Sequence, residues 1–261
     1  MTQYKETLLR IKDLRYEVKG KVILNNLSVD LNDIVGTGQV ATIVGPSGSG
    51  KTTLFKLLSG IIKPTSGTIE FLTRTSGGKY IKPHPGIMGV VAQKYPLFDH
   101  LTVLGNLRVT TKPKDECVEL LKEFHMEDCT SKKPDQLSGG QCQRVATMQQ
   151  LLCSNQYLLM DEPFSGLDLI AKCESCRWIK HTADLDESNV VICITHGIDE
   201  AIRVADYIWL LGRDKDEQGN YCGANIKEVI NLNELGMTRQ CCSTPKFNDM
   251  KKYIEEKFKQ L

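Results

Sequence analysis

Residues 40–53 read VATIVGPSGSGKTT, and the order of residue types in this stretch sets the fold. Val40 to Val44 is apolar and rich in β-branched residues, as a strand buried within a parallel sheet would be. It runs straight into a glycine-rich loop, after which Leu54, Phe55, Leu57 and Leu58 take up helical spacing before Gly60. Strand, glycine-rich loop and helix in that order open a nucleotide-binding α/β unit. Gly45, Gly50, Lys51 and Thr52 satisfy G-x-x-x-x-G-K-[ST] in full. Such a loop wraps phosphate oxygens with backbone N–H groups, so its glycines must leave that approach clear. The pattern assigns Gly45, Pro46, Ser47, Gly48, Ser49, Gly50, Lys51, Thr52 and Thr53 to a bound nucleotide. Lys51 would set its charge between the β- and γ-phosphates, the helix start adds its positive dipole end, and the Thr52 hydroxyl would ligate Mg²⁺.

A phosphate loop needs an acid at a neighbouring strand end to complete the metal site. Asp161 and Glu162 follow the apolar run YLLM. Asp161 suits the Mg²⁺ role, and Glu162 is placed to take a proton from attacking water. The same pair could instead cap a helix, since Pro163 suits a first helical position.

Working outward, 261 residues allow one or two domains. Lys plus Arg is 33 and Asp plus Glu is 32, a net charge of +1, with 41% hydrophobic and 25% charged residues. That balance suits a globular protein and excludes a disordered chain or a nucleic-acid binder relying on bulk positive charge. The apolar runs at Val190 to Ile194 and Tyr207 to Leu211 fall far short of the roughly 18 residues of a spanning helix. The opening MTQYKETLLR lacks the apolar stretch of a secretory signal, so a cytoplasmic location is expected. Ten cysteines then read as reduced thiols. Cys173 and Cys176 form the one C-x-x-C, a helical packing pair rather than a metal site, for Cys241-Cys242 is a poor second half.

Leu8 to Val18 and Val22 to Leu31 alternate as strands around the Lys19-Gly20 turn. Gly67 to Leu72 and Gly89 to Ala92 read as strands bracketing a Gly/Pro/Lys-rich loop. Lys114 to Phe124 and Gly139 to Leu152 read as helices, and Tyr157 to Met160 and Val190 to Ile194 as buried strands. The segment from Arg213 to Asn225 is polar, a loop or hairpin. Met250, Tyr253, Ile254 and Phe258 then space as one helical face, packed on the parent domain or, alternatively, on a partner.

Leu137-Ser138-Gly139-Gly140-Gln141 reads LSGGQ and lies between the phosphate loop and the acidic strand. Gln93 sits in VVAQKYPLF, Ser165 to Asp168 reads SGLD, and His196 sits in ICITHGIDEA. From Leu8 to about Leu211 the chain resembles the ATP-binding cassette (ABC) ATPases, and YPLFDHLTVLGNL with DEPFSGLD resembles importer-type transporter subunits, including those for nitrate, sulfonate or other small solutes, and also lipoprotein-release types. The resemblance implies an α/β fold: a P-loop NTPase core, a mixed N-terminal β-subdomain and a small α-helical signature subdomain. It implies an ABC ATPase domain at residues 1–212, its helical part at about 105–150, with 213–261 as a C-terminal extension. Gln93 would contact Mg²⁺ or water and relay nucleotide state, Glu162 would polarise the lytic water, and His196 would hold the γ-phosphate. Ser138, Gly139, Gly140, Gln141 and Asp168 would complete the ATP site of a second subunit. An aromatic residue should stack on the adenine, and Tyr16 is the candidate, although Val18 lies nearer the usual place.

Departures from the family pattern are Cys142, the stretch Met148 to Gln150, Gly197, a short insertion at Asn32 to Thr37, and a shortened stretch between Gln93 and Ser138. The expected function is an ATP-hydrolysing subunit, acting as a homodimer, that energises separate transmembrane permeases from the cytoplasmic face. The alternative is a soluble ABC ATPase acting on nucleic acid or ribosomes, which the near-neutral charge and absence of sustained heptads disfavour.

Overall fold

The computed structural model describes residues 4–73, 78–154, 156–215, 217–237 and 244–260, so Cys241 and Cys242 lie outside the described residues. Strand β1 (Tyr4–Val18) folds back on β2 (Lys21–Ile34) in antiparallel register. The reversal needs two left-handed residues, supplied by Lys19 at φ 49° and Gly20 at φ 76°. Strand β2 continues to Ile34, so Asn32 pairs with Thr7 and the expected insertion becomes strand end and turn.

The run at 40–44 lies in β3 (Gln39–Val44), every residue of which is buried. Helix α1 (Lys51–Leu58) follows the glycine loop and buries Leu54, Phe55, Leu57 and Leu58. Strand β4 (Ser66–Thr73) adds to β1 antiparallel, and β5 (Lys79–Ile81) adds antiparallel to β4. Strand β6 (Gly89–Val91) pairs in parallel with β7 (Tyr157–Asp161), which pairs in parallel with β8 (Val190–Thr195). Strand β9 (Tyr207–Lys215) flanks β3 opposite β8, again in parallel. Strand β10 (Tyr221–Asn231) returns antiparallel to β9 and touches β2 through Ala224 and Leu24. The result is one mixed sheet of ten strands, in the order β5-β4-β1-β2-β10-β9-β3-β8-β7-β6.

Residues 213–215 thus end β9 and residues 221–225 begin β10, and residue 212 falls inside β9. Tyr157 ties the two parts of the sheet together. Its buried hydroxyl reaches Leu8 O at 2.8 Å and Leu72 O at 2.7 Å, and its ring meets Phe71 edge-on at 5.0 Å.

Helices α2 (Val103–Arg108), α3 (Lys114–Glu123) and α4 (Gly139–Cys153) build a separate apolar core from Val103, Leu107, Leu121, Phe124, Val145 and Met148. Helices α5 (Leu169–Asp184) and α6 (Ile198–Val204) pack on the parallel strands. Cys176 on α5 is buried among apolar side chains, which push its thiol up to about 12. In α7 (Pro245–Gln260), Phe247 and Ile254 are buried, with Met250 and Phe258 packed beside them against Ala201, Ile202 and Leu210. Tyr253 leaves that stripe: its ring is exposed and its hydroxyl bonds Glu228 at 2.6 Å. Among the described residues, no helix is long and apolar enough to cross a membrane.

Candidate functional site

The parallel strands β3, β7 and β8 end on one side of the sheet, and the chemistry-bearing residues leave from those ends. Gly45 follows β3 directly. A Cβ there would lie 2.4 Å from Leu211 O and 2.7 Å from Ser49 Oγ, so only glycine lets the loop turn beside β9. Gly50 at φ 91° then delivers the chain into α1. Lys51 bends its ammonium over the loop and donates to Gly45 O (2.7 Å) and Pro46 O (2.9 Å). Burial lowers the Lys51 pKa, opposed by the negative charges of Glu162 and Asp161. Ser49 Oγ is buried without a hydrogen-bond partner, a vacancy in bonding that a phosphate oxygen would fill. Thr52 is exposed in the first turn of α1 and Thr53 is half-buried beside it.

Asp161 closes β7, and its carboxyl sits above the usual carboxylate range because of burial first and Glu162 second, with Lys51 pulling the other way. Glu162 occupies the left-handed region at φ 47°, a strained position for glutamate that costs on the order of 1–3 kcal/mol. Its N–H donates to Ile194 O at 2.7 Å, which pins the bend to β8. Glu162 Oε2 lies 2.9 Å from His196 Nδ1 and accepts from Thr195 Oγ1 at 3.3 Å. The histidine side chain is 68% exposed while the glutamate is 17% exposed, so the ring lids an acid that otherwise faces inward. A turn, not a helix, follows the two acids. The cap reading of Asp161 and Glu162 therefore gives way, and the next helix is capped by Asp168, whose Oδ1 accepts from Ala171 N at 2.9 Å.

Gln93 lies two residues beyond β6 and donates to Ser165 Oγ at 3.2 Å. Ser138 caps α4 in a capping box: its Oγ accepts from Gln141 N (3.3 Å) and its own N–H donates to Gln141 Oε1 (2.9 Å). Gly139 faces Leu167 at the SGLD turn, while a side chain at Gly140 would meet open space. Lys51, Asp161, Glu162 and His196 thus converge, Gln93 joins them through Ser165, and Ser138 to Gln141 contact Cys129 and Leu167 instead of the phosphate loop. Tyr16 pairs with Leu24 in the first hairpin, its ring partly buried against the main core.

Sequence reasoning missed Gln143. Buried on α4, it donates to Pro163 O (3.1 Å) and accepts from Ser175 Oγ (2.9 Å), joining the signature helix to the turn after Glu162. The signal was a polar residue on the face that α4 turns inward.

A family profile described as ABC transporter matches residues 24–165, more than half of the chain. The sulfate/thiosulfate import ATP-binding protein CysA 2 of Rhizobium meliloti is 33% identical over 222 residues, covering 80% of this chain and 59% of that protein. CysA 2 of Shewanella oneidensis is 37% identical over 210 residues, covering 74% of this chain and 58% of its own length. The chain therefore spans about three-fifths of these relatives. Among solved structures, cbiO1 of Clostridium perfringens, described as part of the ABC transporter complex cbiONQ, superposes with TM-score 0.70 at 25% identity, covering 89% of this chain and 91% of that one. A nucleotide-free ATP-binding cassette of an ABC transporter shares the fold at TM-score 0.69 and 20% identity, covering 94% and 98%. With the profile match running across the glycine loop and the acid pair, and relatives 33% and 37% identical over about three quarters of its length or more, the chain belongs to the ABC transporter family.

Proposed function

We propose that this chain binds and hydrolyses ATP to energise a membrane transporter, working as a head-to-tail dimer beneath separate permease subunits. The observation that carries the reading is the convergence of Lys51, Asp161, Glu162 and His196 on one face of the strand ends. Lys51, released from Gly45 O and Pro46 O, donates to phosphate oxygens, and the Ser49 hydroxyl and loop N–H groups join it. Thr52 and Asp161, with Gln93 nearby, would hold Mg²⁺, which when bound neutralises charge on the phosphates. Glu162 accepts the proton of the attacking water, and His196, leaving Glu162, steadies the γ-phosphate.

The outward-facing Ser138 to Gly140 and the exposed Leu169 (77%) and Ile170 (74%) beside Asp168 support a dimer in which these surfaces meet a second copy. Import of a small solute, the direction in the names of the CysA relatives, is the corresponding transport reading. Peripheral attachment at the cytoplasmic face through the permease goes with it. Affinity purification in mild detergent tests the whole: a multi-helix membrane protein should co-purify. Recovery of ribosomes or DNA in its place would sink the transport reading.

A further inference from the structure

Helix α5 carries Glu174, Arg177, Trp178 and His181 at i, i+3, i+4 and i+7, which places them on one stripe. That stripe faces a cavity of about 410 Å³, completed by Arg144 of α4 and by His125 just past α3. Its aromatic wall is held from several sides. Trp178 stacks on Phe124, with ring centroids 5.4 Å apart and 17° between the planes. His181 and His125 meet the indole edge-on at 5.5 Å and 5.7 Å. His125 does so from φ 49° at the end of α3, a position that glycine or asparagine fills with less strain.

The Arg144 guanidinium lies over the same indole, 4.8 Å from its centroid. Stacking fixes the plane of the fork and leaves its N–H edges to bond sideways. Among the described residues it makes one hydrogen bond, from Nη1 to Phe124 O at a long 3.4 Å. Burial lowers the pKa of this cation, opposed first by the charge of Glu174. His181 Nε2 is buried without a hydrogen bond, although Glu123 Oε1 lies 3.2 Å away. Two guanidiniums therefore face one carboxylate across the cavity, which leaves its lining formally positive.

An inorganic oxyanion would fill little of this volume, whereas small organic molecules occupy cavities of this size. Guanidinium forks take a carboxylate edge-on through paired N–H groups. The aromatic wall suits a flat apolar body beside that carboxylate. We propose that the cavity binds a small aromatic carboxylate, with Arg144 and Arg177 on the carboxylate and the Trp178 wall against the ring. The site shares no residue with the phosphate loop or the acid pair. Arg144 belongs to the helix that Ser138 caps and Arg177 to the helix that Asp168 caps, so the bound carboxylate bridges the two.

Naphthoate is the probe, titrated calorimetrically into the full chain. Naphthalenemethanol supplies the ring without the charge, and sulfate the charge without the ring. Naphthoate should bind at least about tenfold more tightly than either, the scale of one charge-assisted hydrogen bond. Arg177→Ala, a change at an exposed position, should weaken naphthoate by about the same factor. Glu174→Gln removes the opposing charge and should tighten it. Lys51→Ala, which disables the phosphate loop, should bind naphthoate as the wild type does. Four results would each overturn the site: no naphthoate binding by the wild type, equal binding of the alcohol or sulfate, an unchanged affinity in Arg177→Ala, or a loss in Lys51→Ala.

Discussion

At the phosphate loop, Lys51 turns its ammonium back onto Gly45 and Pro46, and a buried Ser49 hydroxyl is left without a partner. At the signature helix, Ser138 and Gln141 satisfy each other and Gly140 faces open space. The first region leaves a buried hydroxyl unbonded and turns its ammonium onto its own carbonyls; the second is a helix start whose capping groups satisfy one another. In the proposed function, binding chemistry resides in the first region, and the second would contribute only where another molecule meets it. Substitutions in each should fail differently.

The largest effect belongs to the side of the phosphate loop. Glu162→Gln should lower ATP turnover about 10²–10⁴-fold, the usual contribution of a general base, while ATP binding persists. Single-turnover kinetics beside an equilibrium binding curve would check both halves, and wild-type turnover would break the comparison at its first side. At the signature helix, Ser138→Arg should cost about 10²-fold in turnover, the scale of a lost charge-stabilising donor, with monomer nucleotide affinity retained. Full activity in a folded Ser138→Arg protein would mean that the signature completes no site.

Gln143→Leu probes the link between the two regions. The change orphans the Ser175 hydroxyl and the Pro163 carbonyl, so urea unfolding should show a loss of about 1–3 kcal/mol. A neutral result would show that the signature helix and the acid turn are energetically independent.

The smallest effect runs the other way. Burial and Glu162 raise the Asp161 pKa, with Lys51 offsetting part of the shift, so its ionised form destabilises the empty protein above the ordinary carboxylate range. Asp161→Asn should thus raise the thermal midpoint near pH 8. The gain should fade as pH drops through the carboxylate range, where wild-type Asp161 takes up its own proton. A lower midpoint at pH 8 would show that the Lys51 attraction outweighs burial.

The phosphate loop was legible because one short stretch carries strand, loop and helix in sequence, and the acids were legible because they close an apolar run. Helix α5 was not, since Leu169 and Ile170 are exposed while Ser175, Lys180 and Thr182 are buried, which blurs its apolar period. Strand β10 was legible only as one arm of a loop or hairpin: residues 221–225 are polar, and pairing with β9 makes them strand. Gln143 takes its meaning from Pro163, 20 residues away, a separation that periodicity cannot span. For Tyr16, sequence places it in the first hairpin but does not tell which face of its strand meets the core.

The ten-stranded sheet finishes at each side in a strand of three residues, Lys79–Ile81 and Gly89–Val91. So short a rim offers few free backbone groups to a neighbouring molecule, which blunts the usual route by which large open sheets polymerise side by side. At high local concentration, copies of this chain are steered away from growing sheet onto sheet, and the loop-bearing faces are left as the surfaces along which they can meet.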